Sequence, residues 1–353
     1  MTFAEARALF PVLARVAYLN AGTFGPLSRP VADALMAGVA RDLAEGRTGL
    51  PYFEETIALR DELRHGFAAL VAAPREQVAL TTSTSEGCAI VLRGLRLERG
   101  DEIVTTTDEH FGLLGPLGAS AATVVVVPPE PERILAAITP RTRLVATSQV
   151  LWTTGAVLPL AELREQSGVP VLADGAQSVG AIPVSAAGVD FLTVSGQKWL
   201  CGPDSTGALV VADPERLGVP SPSYFAQIAY EPDGALTPHP GARRFDSGWW
   251  SAAALRGMLA ALGLRPDWWH ERGVAAADRC RALLERRVEL VTPRVTATLV
   301  AFRPEEEPAE VVKRLHAADV HVRELPGRGL VRVSCGWWTS DDDLDRLVAA
   351  LDG

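Results

Sequence analysis

Lysine is scarce in this chain. Of its 34 basic residues, 32 are arginines, and the two lysines are Lys198 and Lys313. Where a fixed positive charge suffices, the chain uses Arg. A Lys kept in the turn Ser-Gly-Gln-Lys (195–198) therefore points to a need that a guanidinium cannot meet, because an amine can lose its proton and attack a carbonyl. Taken alone it is equally an ordinary surface lysine, and Lys313, in the amphipathic helical pattern VVKRLHAA, reads as that. Asp174 closes the apolar run VLAD, and Lys198 follows 24 residues later. A carboxylate at the end of a buried strand needs a partner. Ser83, Thr84 and Ser85 lie between a strand-like and a helix-like segment, where hydroxyls and backbone N–H groups suit a phosphate; a plain helix cap looks the same. His110 follows the run TTTDE, and Gln177 lies three residues beyond Asp174.

The elements that would position these groups alternate. VALTT (78–82), EIVTTT (102–107), TVVVVP (123–128), RLVATSQ (143–149), PVLAD (170–174), FLTVS (191–195) and TGALVVA (206–212) read as strands, with helical patterns such as CAIVLRGL, PERILAAI and LAELREQ between several of them. Near-continuous Val/Ile/Leu strands separated by helices predict an α/β fold with a mainly parallel sheet covered on both faces. Ligands of such sheets lie beyond the carboxyl ends of the strands, where His110, Asp174 and Lys198 all fall. Before this region, NAGTFGP (20–26) reads as a loop, followed by helices over 30–43 and 53–73. After Gly234 the rhythm changes. Helices are expected over 251–264, 273–291 and 307–318, strands over 295–302, 320–325 and 330–335, and a last helix from Ser340, which supplies an N-cap before three aspartates. We expect a large domain over 15–245 and a small α+β domain built from 1–14 and 246–353.

A buried acid to hold a pyridinium nitrogen, a lysine for a Schiff base and a phosphate cup are together what pyridoxal phosphate requires. The motifs DGAQSVG (174–180) and SGQKWLCGP (195–203) resemble the class V aminotransferase family of fold-type I pyridoxal phosphate enzymes. YLNAGTFGPL (18–27), GCAIVLRGLRLERGDEIVTT (87–106), LWTTGAVLPLAEL (151–163), RRFDSGWW (243–250) and VRVSCGWWTSDDDLDRL (331–347) resemble its cysteine/cystine C–S lyase subgroup, in order and over nearly the whole chain. The resemblance implies a seven-stranded, mainly parallel sheet with a smaller C-terminal domain, and a homodimer with active sites near the interface. It implies Lys198 as the Schiff-base lysine, Asp174 on the ring nitrogen, Gln177 on the ring hydroxyl and His110 on the ring face. It further implies Thr84, Ser85, Ser195 and Gln197 around the phosphate, Arg332 on the substrate α-carboxylate, and Thr153 and Asn20 near the substrate. The implied activity is β-elimination from cystine, cysteine or a cysteine S-conjugate. The alternatives are racemisation or epimerisation, decarboxylation with deamination, or transamination at Cα, and a pyridoxal phosphate binder without activity.

The chain departs from the family at several positions. Gln197 replaces the usual His before the lysine, and Thr153 stands where relatives have Asn. Trp249 replaces a Thr that reaches the neighbouring subunit's phosphate, so that contact is lost or passes to Ser247 or Ser251, and Trp249 and Trp250 become candidates for the pocket wall. Desulfurases take sulfur on a cysteine just before the strand of the carboxylate arginine; here that stretch is RELPGRGLVRV, and Cys335 comes only after Arg332.

The totals bound the rest. The 353 residues, 48% of them hydrophobic, suffice for a large core. A net charge of −9 with no basic block excludes nucleic acid as an expected partner. There is no apolar run of the roughly 20 residues a membrane span needs. The start MTFAEARALFPVLARV lacks the pattern of a signal peptide. The four cysteines (Cys88, Cys201, Cys280, Cys335) show no CxxC and suit a reducing, cytoplasmic setting. No metal site is expected.

Overall fold

The computed structural model describes residues 1–292, 294 and 297–353. The chain opens with α1 (Phe3–Ala8), started by a Thr2/Glu5 capping box, then β1 (Ala17–Tyr18). Next come α2 (Arg29–Glu45), with Ser28 as N-cap and a proline in its first turn, and α3 (Gly49–Leu70). The alternating region follows as β2 (Val78–Thr81), α4 (Thr84–Gly94), β3 (Glu102–Thr106), α5 (Phe111–Gly118), β4 (Thr123–Val127), α6 (Pro131–Ala136), β5 (Thr142–Ser148), α7 (Leu160–Ser167), β6 (Val171–Asp174), β7 (Phe191–Ser195) and β8 (Gly207–Val211).

These strands form one seven-stranded sheet in the order β2-β8-β7-β6-β5-β3-β4. All neighbours are parallel except β8, which runs antiparallel to both β7 and β2. Every residue of β2, β3, β6, β7 and β8 is buried. That is why these strands are continuously apolar rather than alternating: helices cover both faces. β4, at the edge, exposes Val126 by 54%.

Two further strands, β9 (Gln227–Tyr230) and β10 (Leu236–Pro238), form a separate antiparallel hairpin that the sequence pattern does not announce. The remainder is α8 (Ala252–Leu262), α9 (Trp269–Leu284), β11 (Glu289–Leu290), β12 (Leu299–Arg303), α10 (Pro308–Ala317), β13 (Val320–His321), β14 (Arg323–Leu325), β15 (Leu330–Ser334) and α11 (Asp341–Asp352). Of the strand expected over 295–302, Val295 and Thr296 lie outside the described residues. The expected strand 320–325 divides in two. β13 pairs in parallel with β1, while β14 joins an antiparallel sheet of order β11-β12-β15-β14. α8 departs from the expected grouping: Leu255, Met258 and Ala261 share a core with Val194 and Val210 of the large sheet. At the other end, Phe10 and Leu13 pack with Trp337 and Trp338 and also with Ile182 and Trp199.

One buried ion cluster ties α3 to the sheet. Asp246 accepts from Arg60 and Arg64 at 2.8–3.0 Å and from the Leu80 N–H at 2.9 Å, and all three charged residues are nearly inaccessible. Breaking one member would leave an uncompensated buried charge, a loss of about 3–5 kcal/mol.

Candidate active site

The carboxyl ends of β3, β5, β6 and β7 open onto a cavity of about 260 Å³. Its wall comprises Gly22 to Phe24, Ser83 to Ser85, His110, Trp152, Gln177, Ser195, Gln197, Lys198, Arg323 and Arg332. Chain from both ends of the sequence builds it. Residues 17–20 run through the small sheet, where Ser334 N–H donates to Leu19 O at 2.8 Å, and then enter the site as the loop 20–26. That loop is locked to the lysine turn by Gly25 N–H donating to Gln197 O at 2.8 Å.

Lys198 follows β7 directly. Burial lowers its amine to about 8, with Asp174 opposing that shift and Arg332 and Arg323 adding to it. A lysine so lowered is a usable nucleophile and base near neutral pH. Asp174 is buried at the end of β6 and accepts from Ala176 N–H at 2.9 Å. Gln177 is fixed on both sides: its Nε2 donates to Gly22 O at 2.8 Å and its Oε1 accepts from Trp199 Nε1 at 3.0 Å. One Nε2 hydrogen is left for a ligand.

His110 is the N-cap of α5, and its Nδ1 accepts from Gly112 N–H at 3.1 Å. That bond places the proton of the neutral ring on Nε2. Burial and then the charge of Lys198 hold the imidazole below its ordinary range, and the positive end of the helix works the same way. Its ring packs edge-on to Trp152, 5.1 Å between centroids. The preceding Glu109 is buried and takes four hydrogen bonds, from Thr106 Oγ1 (2.7 Å), Thr147 Oγ1 (2.6 Å), Ser148 N (2.9 Å) and Ser148 Oγ (2.6 Å). Even so, desolvation pushes its carboxyl upward.

At the other side of the cavity is the start of α4. Ser83 caps it by accepting from Glu86 N–H at 3.1 Å, while the N–H groups of Thr84 and Ser85 have no carbonyl within the helix. Ser195 Oγ donates to Gln197 Oε1 at 2.8 Å. The opposite wall is cationic. Arg332 in β15 and Arg323 in β14 are direct cross-strand partners. Burial, and then Arg323, push Arg332 down to about 9, so it remains charged at neutral pH. Its Nη1 donates to Trp152 O at 3.2 Å, whereas its Nε and the Trp152 indole N–H are buried with no partner. Arg323 donates to Thr23 Oγ1 at 2.9 Å.

Most of the expected residues converge, and some do not. Thr153 turns its hydroxyl onto Asp108 at 2.9 Å, and its neighbour Trp152 faces the cavity instead. Asn20 accepts from Thr23 Oγ1 at 2.7 Å and shapes the loop rather than the wall. Trp249 is 59% exposed among Phe53, Tyr224 and Phe225, and Trp250 is buried with its indole N–H on Ser247 Oγ at 3.0 Å. Neither lines this chain's cavity. Ser251 is the N-cap of α8, accepting from Ala254 N–H. Cys201 and Cys335 are buried free thiols, raised by burial for the first and chiefly by the neighbouring Cys280 thiol for the second. Arg323 and Trp152 were not anticipated. For Arg323 the signal existed: a hairpin closed by Pro326–Gly329 sets Arg323 opposite Arg332.

The arrangement fits pyridoxal phosphate. A lysine with a lowered pKa shares the cavity with a helix N-terminus that has free N–H groups and lies in the field of Asp174, which is buried behind the wall, and the space is kept open by Gly22, where a Cβ would lie 2.7 Å from Arg332 Nη2 and 2.9 Å from Gln177 Oε1.

The Aminotransferase class-V family model matches residues 19–347, so the chain belongs to this family. It is a pyridoxal-phosphate-dependent enzyme. Over 391 aligned residues, spanning 99% of the chain and 97% of the relative, it is 29% identical to isopenicillin N epimerase of Streptomyces clavuligerus. It is 32% identical to the cysteine desulfurase of Enterobacter sp. (strain 638) over 235 residues, 59% of this chain and 58% of that one. The cystine C–S lyase C-DES, solved with its reaction product cysteine persulfide, superposes with a TM-score of 0.90 at 26% identity, covering 97% of this chain and 98% of that one. Among the described residues, no helix is long and apolar enough to cross a membrane.

Proposed function

We propose that the protein is a carbon–sulfur lyase that acts on cystine, cysteine or a cysteine S-conjugate by β-elimination. When bound, pyridoxal phosphate supplies an electron sink for negative charge at the substrate Cα. The chain's own groups hold it and steer the outcome. Lys198 Nζ anchors the cofactor and, once released, takes the Cα proton. Asp174 keeps the ring nitrogen protonated, Gln177 Nε2 holds the ring hydroxyl, and the N–H groups of Thr84 and Ser85 receive the phosphate with Ser195 and Gln197. His110 covers the ring with its protonated Nε2 edge available to the departing sulfur. Arg332 grips the α-carboxylate, which fixes the Cα–H bond relative to the ring. The Cα–H and Cβ–S bonds break, a double bond forms between the two carbons, sulfur leaves with the bonding pair, and hydrolysis yields pyruvate and ammonia.

The observation that carries this reading is the hairpin of Arg323 and Arg332. It closes through Pro326, Gly327, Arg328 and Gly329 without a thiol, while Cys88, Cys201, Cys280 and Cys335 are all buried. Direct expulsion of sulfur needs no protein thiol, whereas persulfide transfer does. The test is pyruvate release from L-cystine by the cofactor-loaded protein, with the visible spectrum followed together. A yellow protein that releases no pyruvate would sink the lyase reading. The second reading, inversion at Cα, draws on the full-length similarity to an epimerase, and chiral analysis of recovered amino acid separates the two.

The same proposal includes a cytoplasmic homodimer. Met36, Val39 and Leu43 are 61%, 59% and 87% exposed on one face of α2, an apolar row that a second copy would cover.

A further inference from the structure

The loop from Thr107 to His110 is held from two sides. Beneath it, Glu109 is bonded into β3 and β5. Above it lies the tip of the β14–β15 hairpin, where Arg328 Nη2 donates to Thr107 O at 2.8 Å and Nη1 approaches Asp108 Oδ1 at 3.6 Å. The other Asp108 oxygen accepts from Thr153 Oγ1 at 2.9 Å. One residue back, the Trp152 carbonyl accepts from Arg332, which returns the chain of contacts to the hairpin. A closed ring thus borders the cavity mouth: hairpin tip, residues 107–108, residues 152–153, and β15. Gly327 and Gly329 flank Arg328 at φ +70° and +66°, a left-handed geometry that favours glycine and aims the tip at the loop.

This ring has a task. Arg323 and Arg332 are like charges directly opposite each other, an arrangement that works against strand pairing. Both arginines also repel Lys198 across the cavity, and without an anion between them that repulsion works to part the hairpin from the large sheet. A cation at the hairpin tip, bonded to a carbonyl and facing a carboxylate on the large sheet's side, opposes that movement. We propose that Asp108 and Arg328 are positioning residues that seat the β14–β15 hairpin, and thereby set the affinity for the substrate's anionic groups without touching the substrate. The inference rests on the reading that Arg332 grips the substrate α-carboxylate. An exposed ion pair alone contributes little; here the carbonyl bond and the shared Asp108 make it part of a network.

The test compares Arg328→Ala, Arg328→Lys and Asp108→Asn with the unaltered protein. In the cofactor-loaded state, KM for L-cystine is expected to rise about tenfold in Arg328→Ala and Asp108→Asn with kcat changed less than about twofold, the pattern of lost uniform binding. Arg328→Lys, which keeps the charge and a donor, is expected to recover most of the affinity. In the cofactor-free protein, hydrogen exchange should accelerate at both 107–111 and 325–331 in Arg328→Ala. A KM that stays put while only the melting temperature falls would overturn the proposal, as would faster exchange confined to 325–331. If the unaltered protein releases no pyruvate, the lyase reading fails by itself. Glycine, a carboxylate-bearing amino acid with no leaving group, then replaces cystine, and its apparent Kd, from the cofactor's visible band, must show the same tenfold change.

Discussion

The two walls of the cavity are built on opposite terms. On the sheet side, Gln177 and Glu109 have their polar atoms bonded within the protein, and the backbone that carries Lys198 is tied to the loop 20–26. On the hairpin side, two arginines face each other, Arg332 leaves its Nε unpaired, and the Trp152 indole N–H beside it is equally bare. The first wall is bonded largely within the protein, with one Gln177 Nε2 hydrogen and the N–H groups of Thr84 and Ser85 left for a ligand. The second is completed by one. A buried polar group without a partner costs about 1–3 kcal/mol, so an anion that meets either donor gains correspondingly in affinity.

That contrast can be broken at each wall. The largest effect is expected on the sheet side: Lys198→Ala removes both the cofactor anchor and the proton acceptor, and turnover should fall by at least about 10³-fold, read as pyruvate per cofactor. On the open side, Arg332→Lys keeps the charge but loses the planar fork. It should raise KM by about 10–100-fold with the cofactor still bound, as expected for a charge-assisted bond of about 1.5–3 kcal/mol; an unchanged KM would mean that Arg332 does not meet the carboxylate.

A third prediction sharpens the electrostatics of the lysine. Its pKa near 8 is depressed from 10.5, so the neutral amine predominates above about 8 and falls about tenfold per unit below it. The rate at which cofactor-free protein takes up pyridoxal phosphate should follow that slope and level off above pH 8; a rate still climbing toward pH 10 would show an unshifted amine. The smallest effect is expected from Glu109→Gln. The amide accepts at one end only: with its oxygen on Ser148, its Nε2 must donate to the Thr106 and Thr147 hydroxyls, and the charge-assisted bonds are lost, which should cost about 1–3 kcal/mol of stability, seen as a lower melting midpoint in the absence of cofactor.

Much of this was legible in the sequence, and the reasons are specific. Asp174 and Lys198 announced themselves because an acid ending the apolar strand VLAD, and a lysine kept in a chain of arginines, both contradict their surroundings. The mainly parallel sheet followed from its central strands, too uniformly apolar to be exposed on either face, and its seven strands from the family resemblance. What escaped was whatever depends on contacts distant in sequence. Thr153 aligned with a substrate position, yet Asp108 captures its hydroxyl, and nothing local to WTTG signals this. The hairpin at 227–238 mixes exposed apolar and polar residues without a clean period. α8 has the composition of a small-domain helix and is claimed by the large core because α2 and α3 offer it a surface. Arg323 is readable from the turn PGRG, whose closure sets it opposite Arg332.

The sheet order has one more consequence, for the growing chain. β2 is complete at Thr81, but its neighbour in the sheet is β8, which begins at Gly207. At roughly 5–20 residues per second, a ribosome needs on the order of ten seconds to supply it. Through that interval an apolar strand must be shielded by α3 and α4 alone, and the buried cluster on Asp246 cannot close until synthesis has gone still further. A β2 that forms before β8 is made would present an open strand edge, the kind of edge that pairs with other chains.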